Sequence, residues 1–186
     1  MSIKIPVKRS LDTENRWYEL KEEVETALDG LLKMLNARYA RDRYGLKLFT
    51  VLVDPHSKEV TLDLGYGTRY YEISEAVASS VEQRCAEDNL SPEECEKLYE
   101  QAYRDELEEL NNECVIRVNK KMEFPELGAS VEAFPDECDG DYCFCGAGIT
   151  LKIKLHDAKT VEDAVKKIVE TTRHVLNRVM PEIINA

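Results

Sequence analysis

Six cysteines are the residues of this 186-residue chain whose type and spacing could do chemistry. Three of them fall in one stretch, CDGDYCFCGAG at residues 138–148, and Cys114 precedes it. Thiolates are common ligands of structural Zn²⁺, so these four cysteines form a candidate zinc site. Such sites have two close pairs spaced by about two to four residues, whereas Cys114 stands alone. The pattern therefore permits zinc without specifying it. The candidate ligands are Cys114, Cys138, Cys143 and Cys145.

A redox centre and structural disulfides are the other two interpretations of this quartet. The familiar redox motif, Cys-x-x-Cys, opens a helix whose dipole lowers the pKa of the thiol. Here Cys143 and Cys145 precede a predicted strand, and nearby carboxylates such as Asp136 and Glu137 discourage thiolate formation. On an extended strand these two cysteines are about 6.6 Å apart, near the upper limit for a direct bond. We expect them to bond different partners, and we favour structural disulfides that hold the loop.

Cys85 and Cys95 lie in two predicted helices joined by a short turn. Each is five residues from Leu90, at the centre of that turn, and each falls on the apolar face of its helix. Residues equidistant from the turn of an antiparallel helix pair lie opposite one another, within the distance that a disulfide needs. The spacing predicts a disulfide clasp; buried free thiols and a thiol switch are the alternatives.

Arginine and tyrosine residues at the ends of the first predicted hairpin form a second candidate site, for a protein interface or an anion. This mixture is enriched at interfaces, and both side chains stack on nucleotides. The alternative is structural, because cations near the end of a helix complement its dipole. The candidates are Arg38, Arg41, Arg43, Tyr44, Arg69 and Tyr70.

No catalytic signature is present in the sequence, so no residue is predicted to be catalytic and an enzyme is not favoured. The three histidines, His56, His156 and His174, show no zinc-protease spacing. The run Gly146-Ala147-Gly148 precedes a strand, so it lacks the helix amino terminus that holds a phosphate.

Charge is unevenly distributed along the chain, whose net charge is −12. Between residues 82 and 113 there are twelve acidic residues and three basic ones, so this stretch supplies nine of the twelve excess negative charges. Such a surface repels phosphate backbones, and nucleic acid is therefore an unfavoured partner.

Hydrophobic periodicity predicts the elements that position these residues. A helix over residues 11–44, ended by Gly45, is followed by a hairpin whose first strand, apolar on both faces, is expected to be interior. Residues 122–148 are expected to be irregular apart from a short edge strand, SVEAF. The predicted elements are the helix 11–44, strands 46–53 and 59–64, helices from 72 and over 92–110, strands 114–119 and 149–155, and a helix from the Thr160 cap to Pro181.

This order predicts an α+β fold in two layers. An antiparallel sheet of four to five strands is expected, with four helices packed mainly on one face, in a single domain spanning residues 1–186. The start of the chain lacks a signal-like apolar run, and no segment approaches the ~18 apolar residues of a membrane span.

We expect a cytoplasmic protein with no membrane association. High charge content with only two glutamines favours a thermophilic source, in which intracellular disulfides persist. The expected role is that of a non-enzymatic, homo-oligomeric protein acting through protein contacts and stabilised by disulfides, without a cofactor. The alternative is a zinc-binding or nucleotide-handling enzyme centred on the cysteine loop or on the arginine and tyrosine residues.

Overall fold

The computed structural model describes residues 7–41, 45–67, 70–138 and 142–186, with the backbone alone at residues 70–71 and 142–144. Within these ranges the helices are α1 (Glu14–Tyr39), α2 (Ile73–Glu87), α3 (Pro92–Cys114) and α4 (Val161–Ile184). The strands are β1 (Leu46–Asp54), β2 (Glu59–Tyr66), β3 (Tyr70–Glu72), β4 (Lys120–Phe124), β5 (Ala129–Asp136), β6 (Tyr142–Phe144) and β7 (Gly146–Lys154). A 3-10 turn, Pro125–Leu127, joins β4 to β5.

Five strands form one antiparallel sheet in the order β1-β2-β7-β5-β4. Strand β7 lies at its centre, where Leu151 is paired with Leu62 of β2 on one side and with Val131 of β5 on the other. Val51 of β1 extends this row, and all four side chains are buried. The predicted α+β class, with an antiparallel sheet and four helices, is confirmed.

Helices α1 and α4 pack against each other and against the sheet to form the main core. Helix α1 buries one apolar face, as expected of a helix that packs against a sheet. Its buried members are Trp17, Leu20, Val24, Leu28, Leu31, Leu32, Leu35 and Tyr39. The Thr160 cap predicted for α4 is also present, since its hydroxyl accepts a hydrogen bond from the Asp163 amide.

The segment before α1 ties the beginnings of α1 and α4 together. Ser10 forms a β-bridge with Thr160, and the Leu11 amide donates to the Lys159 carbonyl at 3.0 Å. The Arg9 guanidinium donates to Glu162 of α4 at 2.9 Å and to Glu23 of α1 at 2.5 Å. These ion pairs join α1 to the start of α4, which is far away in sequence.

The sheet face opposite α1 and α4 is largely polar. The Asp63 carboxylate on β2 accepts hydrogen bonds from the hydroxyls of Thr50 on β1, at 2.9 Å, and Thr150 on β7, at 3.3 Å. On the same face the Phe134 ring lies over Gly148, where any side chain would overlap it. One sheet face therefore holds the main core, and the other displays polar side chains.

Helices α2 and α3 form a helical hairpin with a second, smaller core. This core contains the cysteines at the base of the hairpin and packs separately from the main core. Of the 23 residues of α3, only Leu110 and Cys114 are buried. The buried members of the second core are Ile73, Val77, Val81, Leu110, Cys114, Cys138 and Cys145.

Two predictions about the first half of the chain are wrong. Strand β1 is not interior: it is at an end of the sheet, with Phe49 and Leu52 exposed by 42% and 57%. Helix α1 ends at Tyr39, with Ala40 as its C-cap, so Gly45 does not end it. Glycine is needed at Gly45 for space, because a Cβ there would overlap the side chain of Asn36.

Three predictions about the second half also need correction. Residues 114–119 are not a strand, since Cys114 ends α3 and residues 115–119 have no strand partner. Residues 122–148 are not irregular, because they contain β5, β6, most of β4 and the start of β7. The predicted strand SVEAF is present within β5, but β5 is an interior strand and not an edge. Helix α4 continues past Pro181 to Ile184.

Candidate functional site: a buried cysteine cluster

Cys85 and Cys95 join the two arms of the helical hairpin. Asn89 has a positive φ of 52°, which asparagine tolerates better than most residues, and it turns the chain between α2 and α3. The Ser91 hydroxyl and the Glu94 carboxylate then form a capping box at the start of α3. Opposite positions on the two arms place the Cα atoms of Cys85 and Cys95 5.8 Å apart, and a disulfide connects them.

Three further cysteines meet at the base of the hairpin. Cys114 and Cys145 form a disulfide with their Cα atoms 5.7 Å apart, and Cys138 is also disulfide-bonded. The Sγ atoms of all three lie within 4.8 Å of one another. All three side chains are buried, with at most 8% exposed. Among the described residues, no other group of three or more His, Cys, Asp or Glu side chains is arranged to share one metal ion.

A glycine kink brings Cys145 into this cluster. Gly146 has a positive φ of 114°, and a Cβ at this position would overlap the carbonyl oxygen of Tyr66. The kink redirects the chain from the short β3–β6 sheet into the main sheet. The Gly146 carbonyl then accepts a hydrogen bond of 2.9 Å from the amide of Ile116, two residues after Cys114. The end of α3 is thereby fixed beside the start of β7.

An asparagine fixes the position of Cys138. Asn111 lies one turn before the end of α3, and its side-chain oxygen accepts a 2.6 Å hydrogen bond from the Cys138 amide. Its side-chain nitrogen donates to the Cys138 carbonyl at 3.0 Å. The preceding residue, Glu137, forms an ion pair with Arg117. These contacts connect the end of β5 to α3 and to the segment that follows it.

A cleft of about 240 Å³ connects Cys114 with the surface. Arg41, Glu113 and Tyr66 line it, so a cation and an anion lie near the buried sulfur. The Tyr66 hydroxyl donates to the Tyr39 carbonyl at 2.7 Å. Burial raises the pKa of Tyr66, and the positive charge of Arg41 partly offsets that effect.

Comparison with known proteins gives no relative for this arrangement. The chain matches no family model, no curated protein and no solved structure. None of the described helices combines the length and apolarity that a membrane crossing requires.

The structure separates the members of the arginine and tyrosine site. Arg38 lies over the ring of its helix neighbour Tyr39, 5.3 Å from the ring centroid, and Arg41 lines the cleft beside Cys114. The backbone of Tyr70 is in β3. The remaining candidates, Arg43, Tyr44 and Arg69, lie outside the described residues. Arg38 and Arg41 share no described contact with each other.

Sequence patterns identify the cysteines but not the residues that bring them together. Asn111 lies in a polar, acidic helix, and nothing in its neighbourhood distinguishes it from Asn112. Gly146 is conspicuous only as one of several glycines in the loop. The three histidines do not converge: His174 packs edge-on against Phe124, whereas His56 lies in the β1–β2 turn.

Proposed function

We propose that this protein is a non-enzymatic, homo-oligomeric protein that acts through protein contacts made by the free edge of β1. The observation that carries the proposal is this edge, which has no strand partner among the described residues and extends over nine residues. It exposes two large apolar side chains, Phe49 and Leu52. A long apolar edge is a template for pairing with another chain.

The opposite edge of the sheet is protected in the ways that prevent such pairing. Strand β4 has five residues, and its outward positions carry charge. Lys121 pairs with Glu132 of β5 at 3.8 Å, and Lys120 with Glu182 of α4 at 4.0 Å. Short length and charge are common protections of sheet edges, and β1 has neither of them over its central residues. This asymmetry favours β1 as the contact edge.

The partner that we propose for the β1 edge is a second copy of the chain, because the charges of two β1 strands are complementary. Lys47 and Asp54 lie near its two ends, and a bulge between Leu48 and Thr50 places both on the open sheet face. Antiparallel pairing of two β1 strands brings Lys47 of each copy towards Asp54 of the other. Asp54 is held ionised because hydrogen bonds from the Ser57 side chain and from the amides of His56 and Ser57 lower its pKa.

The groove beside β1 supplies further contact surface. It lies between α1 and β1, has a volume of about 470 Å³, and is lined by Leu32, Lys33 and Phe49 among others. The acidic α2–α3 hairpin lies in a different part of the chain and repels polyanions. Together these features support a protein contact rather than a nucleic-acid contact. From its composition we also propose that the protein works in the cytoplasm of a thermophilic organism.

Light scattering coupled to size exclusion tests the proposal. The wild-type protein is expected to be a dimer that dissociates on dilution, and Leu52→Lys is expected to be monomeric. Tyr18→Lys is the matched control, because Tyr18 is also 57% exposed but lies on α1. A wild-type monomer at every concentration, or a Leu52→Lys variant that still dimerises, would contradict the proposal. Dissociation of Tyr18→Lys would contradict the assignment to β1.

A charge reversal tests the antiparallel arrangement. Lys47→Asp alone is expected to weaken the dimer, because it places two carboxylates together at each end. Lys47→Asp combined with Asp54→Lys is expected to restore it. Failure of the double variant to recover association, with its circular dichroism unchanged, would overturn a β1–β1 contact. Binding of unrelated extended peptides by a monomeric wild-type protein would also overturn it.

A further inference from the structure

We propose that the cluster of Cys114, Cys138 and Cys145 binds one Zn²⁺ ion when its disulfides are reduced. The three Sγ atoms lie within 4.8 Å of one another. Zn–S bonds of about 2.3 Å in tetrahedral geometry place the sulfur atoms about 3.8 Å apart. After reduction the Cys114 and Cys145 sulfurs must separate from the roughly 2 Å of a disulfide by about an ångström each, and the Cys138 sulfur must approach them by about an ångström at most. These movements bring the three sulfurs to bonding distance from one ion.

The proposed reaction consists of two steps, reduction of the disulfides and then binding of the metal ion. A cellular dithiol gives two electrons and two protons to each disulfide, and it leaves as a disulfide itself. Zn²⁺ then displaces one proton to solvent from each thiol that it binds. Three thiolates and one Zn²⁺ carry a net charge of −1, and Arg41, in the adjoining cleft, supplies a cation near it.

The donor set selects the type of metal. Thiolates favour Zn²⁺ over the hard ions Mg²⁺ and Ca²⁺, which bind oxygen. The sulfurs are surrounded by apolar residues of the second core, including Ile73, Val77 and Leu110. Cys114 lines the cleft that opens to the surface, which is the expected route for a reductant and for the ion. Three protein ligands leave one coordination position for a further donor.

The Cys85–Cys95 disulfide provides an internal comparison. It has similar Cα spacing, but no third His, Cys, Asp or Glu among the described residues joins it to make a ligand group. Reduction of this clasp yields two thiols without the geometry of a metal site. The inference is independent of the proposed dimer, because the cluster and β1 share no residue.

Zinc binding is tested with the full-length protein reduced by a phosphine under nitrogen, incubated with Zn²⁺ and passed through a desalting column. Elemental analysis is expected to find about one zinc per chain in the reduced wild-type protein and in Cys85→Ala. The oxidised protein is expected to hold none. Cys138→Ala is expected to bind zinc about ten-fold or more weakly in competition with a chromophoric chelator.

Two further measurements keep the proposal falsifiable if a variant folds poorly. Co²⁺ added to the reduced wild-type protein is expected to give thiolate charge-transfer absorption, which disappears when Zn²⁺ is added. Circular dichroism of the reduced protein is expected to show higher thermal stability with Zn²⁺ than without it. Absence of zinc from the reduced wild-type protein, or equal affinity in Cys138→Ala, would overturn the site. Loss of zinc from a folded Cys85→Ala would also overturn it.

Discussion

Asn111 holds the backbone of Cys138 with both ends of its side-chain amide, through hydrogen bonds of 2.6 and 3.0 Å. Both bonds are partly buried and span 27 residues of sequence. Asn111→Ala leaves an amide and a carbonyl of Cys138 without these partners, which is expected to cost about 1–3 kcal/mol of unfolding free energy. Urea denaturation measures the loss. Asn112→Ala is the control, because Asn112 is an exposed neighbour, and equal stability of the two variants would contradict this role for Asn111.

Gly146 and Gly30 are expected to respond to alanine in opposite ways. At Gly146 a Cβ would meet the Tyr66 carbonyl, and the φ of 114° is one that alanine rarely adopts. Gly146→Ala is therefore expected to lose more than about 2 kcal/mol. Gly30 lies on an exposed position of α1 with no atom near its missing Cβ, so Gly30→Ala is expected to gain about 0.5–1 kcal/mol. Thermal unfolding of both variants measures these changes in stability. A Gly146→Ala variant as stable as the wild-type protein would show that the kink is dispensable.

The Arg9–Glu162 ion pair is expected to make stability depend on pH in the acid range. The side-chain hydrogen bond from Arg9, followed by its backbone amide, lowers the pKa of Glu162 from 4.5 to about 2. A lowered folded-state pKa contributes stability that is complete above about 4.5 and is lost as the pH falls towards 2. Glu162→Gln is expected to remove this part of the acid destabilisation.

Melting temperatures between neutral pH and about pH 3 measure that effect. Glu82→Gln is the control, since Glu82 is exposed on α2 and forms no ion pair among the described residues. The Glu162→Gln variant is expected to be less stable than wild type at neutral pH and to approach it in acid. Parallel melting curves of wild type and Glu162→Gln across this range would refute the linkage.

Sequence periodicity predicts those elements whose burial repeats over many turns or residues. The stripe of α1 and the strict alternation of β7 are long enough to show which side faces the core. Periodicity does not predict which segments pair as strands. Residues 114–119 have apolar side chains at every second position and bury Cys114 and Val118, yet they form no strand. The amide of Ile116 instead donates to the Gly146 carbonyl, and the amide of Val118 donates to the Ile116 carbonyl. Apolar residues at alternate positions indicate which side chains are buried. Whether the segment forms a strand depends on whether a distant segment supplies backbone hydrogen bonds.

The sequence does not indicate that β4 and β5 pair, because both segments are weakly apolar. The five residues of β4 bury only Phe124, and β5 contains Pro135 near its end. The position of β1 is also not predictable from its own sequence. Strand β1 is apolar on both faces, as an interior strand would be, yet it is an edge because β2 pairs with β7 on its other side. The cysteine cluster depends on the Gly146 kink and on Asn111. Gly146 and Asn111 each contact residues far away in sequence, so no local sequence pattern predicts these contacts.

The Cys85–Cys95 clasp is expected to stabilise the helical hairpin without affecting the main sheet. The hairpin has its own core, so its opening does not require loss of the contacts between α1, α4 and the sheet. Replacing both cysteines by alanine removes a constraint on a ten-residue separation, which is expected to cost about 2–3 kcal/mol within the hairpin. Hydrogen exchange followed by mass spectrometry is expected to show faster exchange in α2 and α3 and unchanged exchange in β2 and β7. Equal acceleration in the hairpin and the sheet would mean that the two cores unfold as one cooperative unit, because the clasp would then contribute to global rather than local stability.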